Sequence, residues 1–399
     1  MNWVVLVSAL GYFVDIFDLY LFSILRVASL KDLGVPPSEM MSAGIQLLNF
    51  QMIGLVIGGF FWGILGDKRG RVSVLFGSIL LYSLANLANA WVHTVPQYAV
   101  LRLLAGFGLA GELGAAITLV SESMARDKRG YGAAWVAGVG LSGSVAAAAL
   151  ANFLSWRACY TVGGFMGLAL LLMRFQIRDS AVFTHAKQQT SVLRGHLGML
   201  IRDRSRLRRY ISLILVGMPT WFIAGIVITF APEFGHALGV QGELSAGTAI
   251  LYMYAGVAVG DLICGFISQW AQNRRWVIAG FLVFMGLLMY ALLFAYGARP
   301  QTIYWLATGI GFGSGYWAVL MMTAAEQFGT NLRATVATTV PNLIRGTVVP
   351  LSLVFAPLKT HLGLLNGAVV LGSVVLLLAF FSLTQLQESH GLDLGYLES

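Results

Sequence analysis

The chain has 399 residues, of which 58% are hydrophobic and only 11% are charged, and its mean hydropathy is +0.78. Soluble proteins carry roughly 25% charged residues, so this composition excludes a soluble globular protein and indicates a polytopic membrane protein. The net charge of +8 arises from Lys and Arg residues in short connectors between apolar runs, a pattern typical of membrane topology and not of nucleic-acid binding.

Twelve apolar windows are long enough, at about 20 residues each, to cross a membrane. The first has no basic region before it and no small-residue cleavage site, so we expect a retained span and not a signal peptide. The predicted spans are residues 3–25, 42–65, 72–94, 97–121, 131–155, 158–177, 210–231, 244–268, 276–297, 302–325, 334–358 and 364–386.

The sequence therefore predicts an all-α integral membrane protein with twelve transmembrane helices in two pseudo-symmetric six-helix bundles. Its predicted parts are an N-terminal bundle (1–177), a cytoplasmic connecting loop (178–209), a C-terminal bundle (210–386) and a cytoplasmic tail (387–399).

The distribution of Lys and Arg predicts the orientation. With the N-terminus in the cytoplasm, 18 of the 25 basic residues, Arg174 among them, fall in cytoplasmic connectors and 5, including Arg26, fall outside. Positive residues favour the cytoplasmic side, so both termini are expected there, in the plasma (inner) membrane.

The two halves repeat each other at their inner ends. "GGFFWGILGDKRGRV" follows span 2 and "GDLICGFISQWAQNRRW" follows span 8, while "SESMARDKRG" closes span 4 and "AEQFGTNLRA" closes span 10. Matching segments at matching places indicate a duplication, as in transporters whose two bundles rock about a central site.

These motifs resemble those of the major facilitator superfamily. "GILGDKRGRV" resembles its loop 2–3 signature G-x-L-x-D-[RK]-x-G-R, and "RLLAGFGLAGE" resembles its span 4 signature R-x-x-x-G-x-G. "DIFDLYLFS", "GELGAAITLVSE" and "AEQFGTNLRAT…PNLIRG" resemble the metabolite:proton symporter branch and the sialate and aromatic-acid branches. The resemblance implies alternating access, proton-coupled symport and function as a monomer. Ile16 departs from the glycine usual in span 1, and "SQWAQNRRW" lacks an aspartate equivalent to Asp67.

Charged residues within the spans are the candidates for proton coupling, because a charge inside a membrane is expensive and is usually functional. At about 1.5 Å per residue, Asp15 and Glu112 lie near mid-membrane, while Asp18 and Arg102 come within reach of each other nearer the outer face. Carboxylates crowded in a low-dielectric interior cannot all stay ionised, so at least one is expected to bind and release the coupling proton. The alternative is a static Asp18–Arg102 salt bridge that ties helices together.

The substrate is expected to be a small anionic or zwitterionic metabolite. Arg345 is the only basic residue at mid-membrane in the second half, and its planar guanidinium suits a carboxylate. The other candidate substrate residues are polar or aromatic side chains at similar depth: Asn342, Gln46, Asn49, Trp221, Tyr254 and Trp317.

Charge clusters at the inner ends of the spans are predicted to form a conformational gate, intact in only one state. The alternative for any one pair is a solvated loop contact worth under about 1 kcal/mol. The predicted gate residues are Gly63, Asp67, Arg71, Glu122, Arg129, Asp261, Glu326 and Arg333.

Other functions remain open at this stage: proton-antiport efflux of amphiphilic compounds, and facilitated uniport or exchange. Span 5 contains no proline, which counts against efflux of the proline-glycine type. No nucleotide loop, metal cluster or Ser/His/Asp arrangement occurs in the sequence, so we expect neither an enzyme nor a cofactor. The proton is the expected coupling ion, and the expected partners are the lipid bilayer and a small-molecule substrate, without nucleic acid.

Overall fold

The structure is a computed structural model that describes residues 3–69, 71–112, 129–174 and 197–389, and within these ranges every regular element is helical. The chain divides into two compact units, Met1–His196 and Leu197–Ser399. The first unit contains α1 (Trp3–Asp32), a 3-10 helix (Pro37–Glu39), α2 (Met40–Arg69), α3 (Arg71–Asn89), α4 (Val95–Leu109), α5 (Arg129–Ala151) and α6 (Trp156–Arg174). The second contains α7 (Leu197–Arg202), α8 (Arg204–Phe222), a π-helix (Ile223–Ile228), α9 (Ala231–Ala237), α10 (Ala246–Ala271), α11 (Arg274–Leu293), α12 (Pro300–Ser314), α13 (Trp317–Glu326), α14 (Thr330–Gly346), α15 (Val348–Leu362) and α16 (Leu364–Gln385).

The helices agree with the predicted spans. Among the described residues, eight helical stretches are long and apolar enough to cross a membrane, at predicted spans 1, 2, 6, 7, 8, 9, 11 and 12. Three shorter apolar helices lie at predicted spans 3, 4 and 5, and predicted span 10 is divided between α12 and α13. The prediction of an all-helical membrane protein is confirmed.

The predicted connecting loop, 178–209, contains helix where it is described. It includes α7, and α8 begins at Arg204, six residues before the predicted start of span 7. Asp203 caps α8: its carboxylate accepts from the Arg206 amide at 2.8 Å, and this hydrogen bond holds the pKa of Asp203 below its usual value.

Close contact between α2 and α4 in the first unit depends on glycine. A Cβ on Gly106 would overlap the carbonyl oxygen of Gln51, and one on Gly54 would overlap that of Leu103. Small residues allow membrane helices to approach backbone to backbone, so these glycines determine how α2 and α4 pack.

The second unit repeats this packing between α10 and α12. A Cβ on Gly311 would overlap the Met253 carbonyl oxygen, and one on Gly256 would overlap that of Thr308. Gly256 of α10 lies 202 residues after Gly54 of α2. Gly311 of α12 lies 205 residues after Gly106 of α4. The duplication inferred from the inner-end motifs thus extends into the packing of the spans.

The repeated pair also shares an interruption. Helix α4 ends at Leu109 and turns through two residues before Glu112, while α12 ends at Ser314 and turns before Trp317. Leu109 and Ser314 are also 205 residues apart. Matching interruptions in the two halves are typical of transporter helices that line a substrate site.

Predicted span 7 is irregular as well. Pro219 lies inside α8, and the following π-helix ends where the Thr229 hydroxyl donates to the Ala224 carbonyl at 2.8 Å. Short π-helical segments occur frequently at functional sites.

Candidate functional site

A hydrogen-bonded cluster inside the first unit contains the second aspartate of span 1. Asn86 Nδ2 donates to Asp18 Oδ2 at 2.5 Å, and Arg102 Nη2 donates to Asn86 Oδ1 at 2.8 Å. The three side chains come from α1, α3 and α4, and none is more than 4% exposed. The structure thus brings Asp18 and Arg102 together, as the sequence predicts, but it places the Asn86 amide between their charged groups.

This arrangement suits reversible protonation of Asp18. Its Oδ2 accepts from Asn86, while Oδ1 makes no hydrogen bond with any residue in the described ranges. A proton can therefore bind Oδ1 without displacing a donor. Gain or loss of that proton changes the charge facing Arg102 across the amide, and in a low-dielectric interior this change is felt strongly.

Aromatic hydroxyls extend the cluster away from Asp18. The Arg102 guanidinium lies 4.9 Å from the centre of the Tyr160 ring, and the Tyr160 and Tyr98 hydroxyls are 2.6 Å apart. Further along, at the predicted outer end, Arg157 Nη2 pairs with Asp32 at 3.1 Å. Polar side chains therefore lie between Asp32, at the end of α1, and Asp18.

A second buried charge pair lies in the same unit. Arg174 Nη1 donates to Glu112 Oε2 at 3.0 Å and Nη2 donates to Oε1, with the two side chains 2% and 0% exposed. Arg174 is predicted in a cytoplasmic connector and Arg26 on the outer side, but both side chains are buried. Asp15 is also fully buried, on α1 between Asp18 and the level of this pair.

In the second unit, predicted spans 7 and 10 meet at a buried tyrosine. Tyr316 lies in the interruption between α12 and α13, donates its hydroxyl to the Val216 carbonyl at 2.9 Å, and accepts from Thr220 Oγ1 at 3.0 Å. Thr220 directly precedes Trp221 and the π-helix. The hydrogen bonds of Tyr316 therefore join the two irregular segments.

Arg345 lies in the last turn of α14 and is 2% exposed. Its guanidinium carbon is 5.9 Å from the centre of the Trp221 ring. Within the described part of the chain, its Nε and Nη1 atoms make no hydrogen bond. An arginine with open donors beside an aromatic ring has the chemistry to bind a carboxylate attached to a planar ring.

The other predicted substrate residues are more dispersed. Asn342 is buried and donates to a carbonyl one turn earlier in α14, while Tyr254 and Trp317 are half-buried. On α2, Gln46 is exposed and Asn49 is half-buried. Their assignment to the substrate stays a prediction.

The described gate residues form specific contacts. Asp261 accepts from the Ala318 amide at 3.1 Å and so caps the start of α13, which has no cap from its own side chains. Glu326 pairs with Arg274 at 2.8 Å, and Gly63 is half-buried in α2. The remaining gate predictions lie outside the described residues or concern side chains that the structure does not describe: Glu122 for the former, and Asp67, Arg71, Arg129 and Arg333 for the latter.

A residue after α16 also contacts the start of α11 in the second unit. The Glu388 carboxylate accepts from the amides of Arg274 and Arg275 at 3.1 and 3.2 Å, at the start of α11. In the part of the chain that the structure describes, no group of three or more His, Cys, Asp and Glu residues is arranged to hold a metal ion.

Sequence reasoning missed several residues of the first unit. Asn86, Tyr98 and Tyr160 are uncharged, and such residues in spans are often only packing. A usable signal was present on α3, where Tyr82, Asn86 and Asn89 follow one another at helical spacing of four and three residues.

A model of the Major Facilitator Superfamily matches residues 8–352. The chain belongs to the major facilitator superfamily. The fold predicted from the sequence is thereby confirmed, and the protein is a membrane transporter and not an enzyme.

Individual relatives agree with the family. A probable 4-methylmuconolactone transporter from Cupriavidus pinatubonensis is 25% identical over 96% of this chain and 89% of its own length. The 3-(3-hydroxy-phenyl)propionate transporter from Escherichia coli is 30% identical over 71% of this chain and 70% of its own. The xylose transporter XylE from E. coli superposes with a TM-score of 0.73 at 16% identity, covering 98% of this chain and 99% of its own, which shows a shared fold.

Proposed function

We propose that the protein is a proton-coupled symporter that imports a small aromatic carboxylate across the plasma (inner) membrane, with both termini in the cytoplasm. The observation that carries this proposal is the Asp18–Asn86–Arg102 cluster. It gives a buried carboxylate one satisfied oxygen and one open oxygen, next to a cation that responds to its charge.

The coupling follows from that geometry. Protonated Asp18 is neutral and attracts Arg102 less, whereas ionised Asp18 holds the Asn86 bridge and the guanidinium in place. A change in the charge of Asp18 therefore shifts the equilibrium between conformations only if the two conformations hold this cluster differently. Alternating access supplies such a difference by opening the cluster to water on one side of the membrane at a time, with the predicted gate contacts made and broken in turn.

The aromatic carboxylate is supported by Arg345 and Trp221 and by the relatives. The open Nε or Nη1 donor of Arg345 can donate to a carboxylate oxygen, and Trp221 offers an aromatic face 5.9 Å away. The 3-(3-hydroxy-phenyl)propionate of the E. coli relative combines a ring with a carboxylate. We assign Arg345 to the acid group and Trp221 to the ring.

The test uses purified protein in liposomes. Phenylpropionates, aliphatic dicarboxylates and sugars are first screened for thermal stabilisation of the protein, and the best ligand is then used for uptake with and without an inside-alkaline gradient. We expect a ring-bearing acid to stabilise most and its uptake to accumulate only with the gradient. Equal uptake at any gradient would identify a uniporter or exchanger instead, and accumulation driven by an inside-acid gradient would identify an antiporter.

The substrate assignment has its own control. Arg345→Met should remove stabilisation by the acid, while Arg299→Met, at the N-cap of α12, should retain it. Retention of acid binding in the Arg345 variant would remove this residue from the substrate site.

A further inference from the structure

A stripe of polar side chains on α3 lies inside the first unit and is only partly used by the cluster around Asp18. Tyr82, Asn86 and Asn89 share one face of the helix, and each is at most 1% exposed. Asn86 holds Asp18 and Arg102. Within the described ranges, the Tyr82 hydroxyl and both amide atoms of Asn89 make no hydrogen bond. A buried polar group without a partner costs free energy, so these side chains need an explanation other than packing.

Packing in the second unit shows that the tyrosine hydroxyl is not needed to fill space. In the first unit, a Cβ on Gly108 of α4 would lie 2.7 Å from the Tyr82 nitrogen and 2.9 Å from its Cβ. In the second, a Cβ on Gly313, 205 residues later, would lie 2.9 Å from the Met285 nitrogen and 2.7 Å from its Cβ. Met285 is therefore the structural counterpart of Tyr82, and an apolar side chain fills that place.

The same offset of 205 residues places uncharged residues of the second unit where the first unit has charged ones. Arg102 corresponds to Ala307, and Glu112 corresponds to Trp317, each 205 residues later. The buried charges of Arg102 and Glu112 thus have no charged counterpart at these two places in the second unit, so the repeated fold does not require them.

Helix α6 shows that the Tyr82 ring lies at a level between Asp18 and Glu112; among the described residues of this unit, Asp15 of α1 is the third buried carboxylate. A Cβ on Gly163 would lie 3.0 Å from Asp18 Oδ1, and one on Gly167 would lie 3.0 Å from the Tyr82 ring. One turn of α6, about 6 Å, separates these two levels. Further along the same helix, Arg174 binds Glu112.

The carboxylates of Asp18 and Glu112 are too far apart for direct proton transfer. The Glu112–Arg174 pair packs against Gly11 of α1, and Gly11 lies seven residues, or about 10 Å of helix rise, from Asp18. Proton transfer needs heavy atoms about 3 Å apart, so at least one intermediate group is required.

We propose that the Tyr82 hydroxyl passes the coupling proton from Asp18 to Glu112 within the first unit, with water completing the hydrogen bonds. The Asp18 acid gives its proton through water to the phenolic oxygen, while the phenolic O–H gives its own proton through water to the Glu112 carboxylate. Tyr82 ends neutral, Asp18 is ionised and Glu112 is protonated. One proton has moved, and no charge stays on the phenol.

Arrival of the proton has a structural consequence. Neutral Glu112 no longer forms an ion pair with Arg174. The buried contact between α6 and the residues after α4 therefore weakens at the predicted cytoplasmic end. The proton route thereby lies within the first unit and acts on the conformation through α6. This inference rests on the proposed proton coupling.

The test compares Tyr82→Phe with wild type, Asp18→Asn and Tyr290→Phe in liposomes. Tyr82→Phe removes one oxygen and keeps the ring. Tyr290→Phe is the matched control because it removes a hydroxyl that is hydrogen-bonded to Ser373 at 2.7 Å in the second unit. Two rates are measured for each protein: uptake driven by a proton gradient, and substrate exchange without a gradient.

We expect Tyr82→Phe to lower gradient-driven uptake by about a hundredfold and to leave exchange unchanged, while Tyr290→Phe changes the ratio of the two rates by less than about twofold. Exchange serves as the folding control, because a misfolded variant loses both rates. A Tyr82→Phe protein with gradient-driven uptake equal to wild type, in an experiment where Asp18→Asn is uncoupled, would overturn the relay and leave the symport proposal standing. A wild type indifferent to the gradient would instead overturn the symport proposal.

Discussion

Replacing Glu112 by glutamine leaves Arg174 charged and buried without a counter-ion. The pair is bidentate, with its two side chains 0% and 2% exposed, so solvent cannot compensate. Removing one partner of a buried ion pair costs about 3–5 kcal/mol. For a unit of this size, each kcal/mol lowers the melting temperature by about 2–4 °C. We therefore expect Glu112→Gln and Arg174→Met each to melt roughly 6–20 °C below wild type.

The double variant makes this prediction specific. Once both charges are gone, no uncompensated charge is left, so Glu112→Gln with Arg174→Met should melt near wild type and well above either single variant. Melting is followed in one detergent at fixed concentration. The control is Asp32→Asn, which breaks a pair whose side chains are 50% and 32% exposed and should cost under about 1 kcal/mol. Losses that simply add in the double variant would show that the two side chains are not partners.

Two further predictions concern packing and the chain end. Gly106→Ala should force α2 and α4 apart by roughly 1 Å and lower the free energy of unfolding by about 1–3 kcal/mol. Gly280→Ala, with open space around its Cβ, should be neutral. Equal melting temperatures for the two variants would contradict the close approach of α2 and α4. Glu388→Ala should remove the cap at the start of α11 and cost about 0.5–2 kcal/mol, while Ala at the exposed Glu243 should change nothing. An unaltered Glu388→Ala melting curve would show that the chain end does not stabilise this unit.

The spans and the duplication were predictable because they depend on properties that the sequence states directly. Membrane thickness sets the length of an apolar run, and helix rise converts a residue number into a depth. The same reasoning placed Asp18 and Arg102 within reach of each other. This prediction was possible because both residues are charged, and a charge inside a span is costly enough to indicate a function whatever its neighbours are.

The remaining parts of the site depend on details that sequence patterns leave ambiguous. Asn86 is an uncharged side chain in an apolar helix, and its role depends on which helix face meets α1 and α4. Arg174 stands near a predicted span end, where a connector residue and a buried ion-pair partner look alike. The interruptions in spans 4 and 10 fall at Ala110–Gly111 and Gly315–Tyr316, and with 47 glycines in the chain no single glycine marks a break.

The most direct test of proton coupling through Asp18 is the proton movement that accompanies substrate entry. Liposomes holding wild type or Asp18→Asn protein, without an imposed gradient, receive the stabilising substrate while a pH-sensitive dye records external pH. We expect alkalinisation of the medium with wild type, and none with Asp18→Asn although its exchange of substrate continues. Alkalinisation of equal size in both proteins would contradict proton coupling through Asp18.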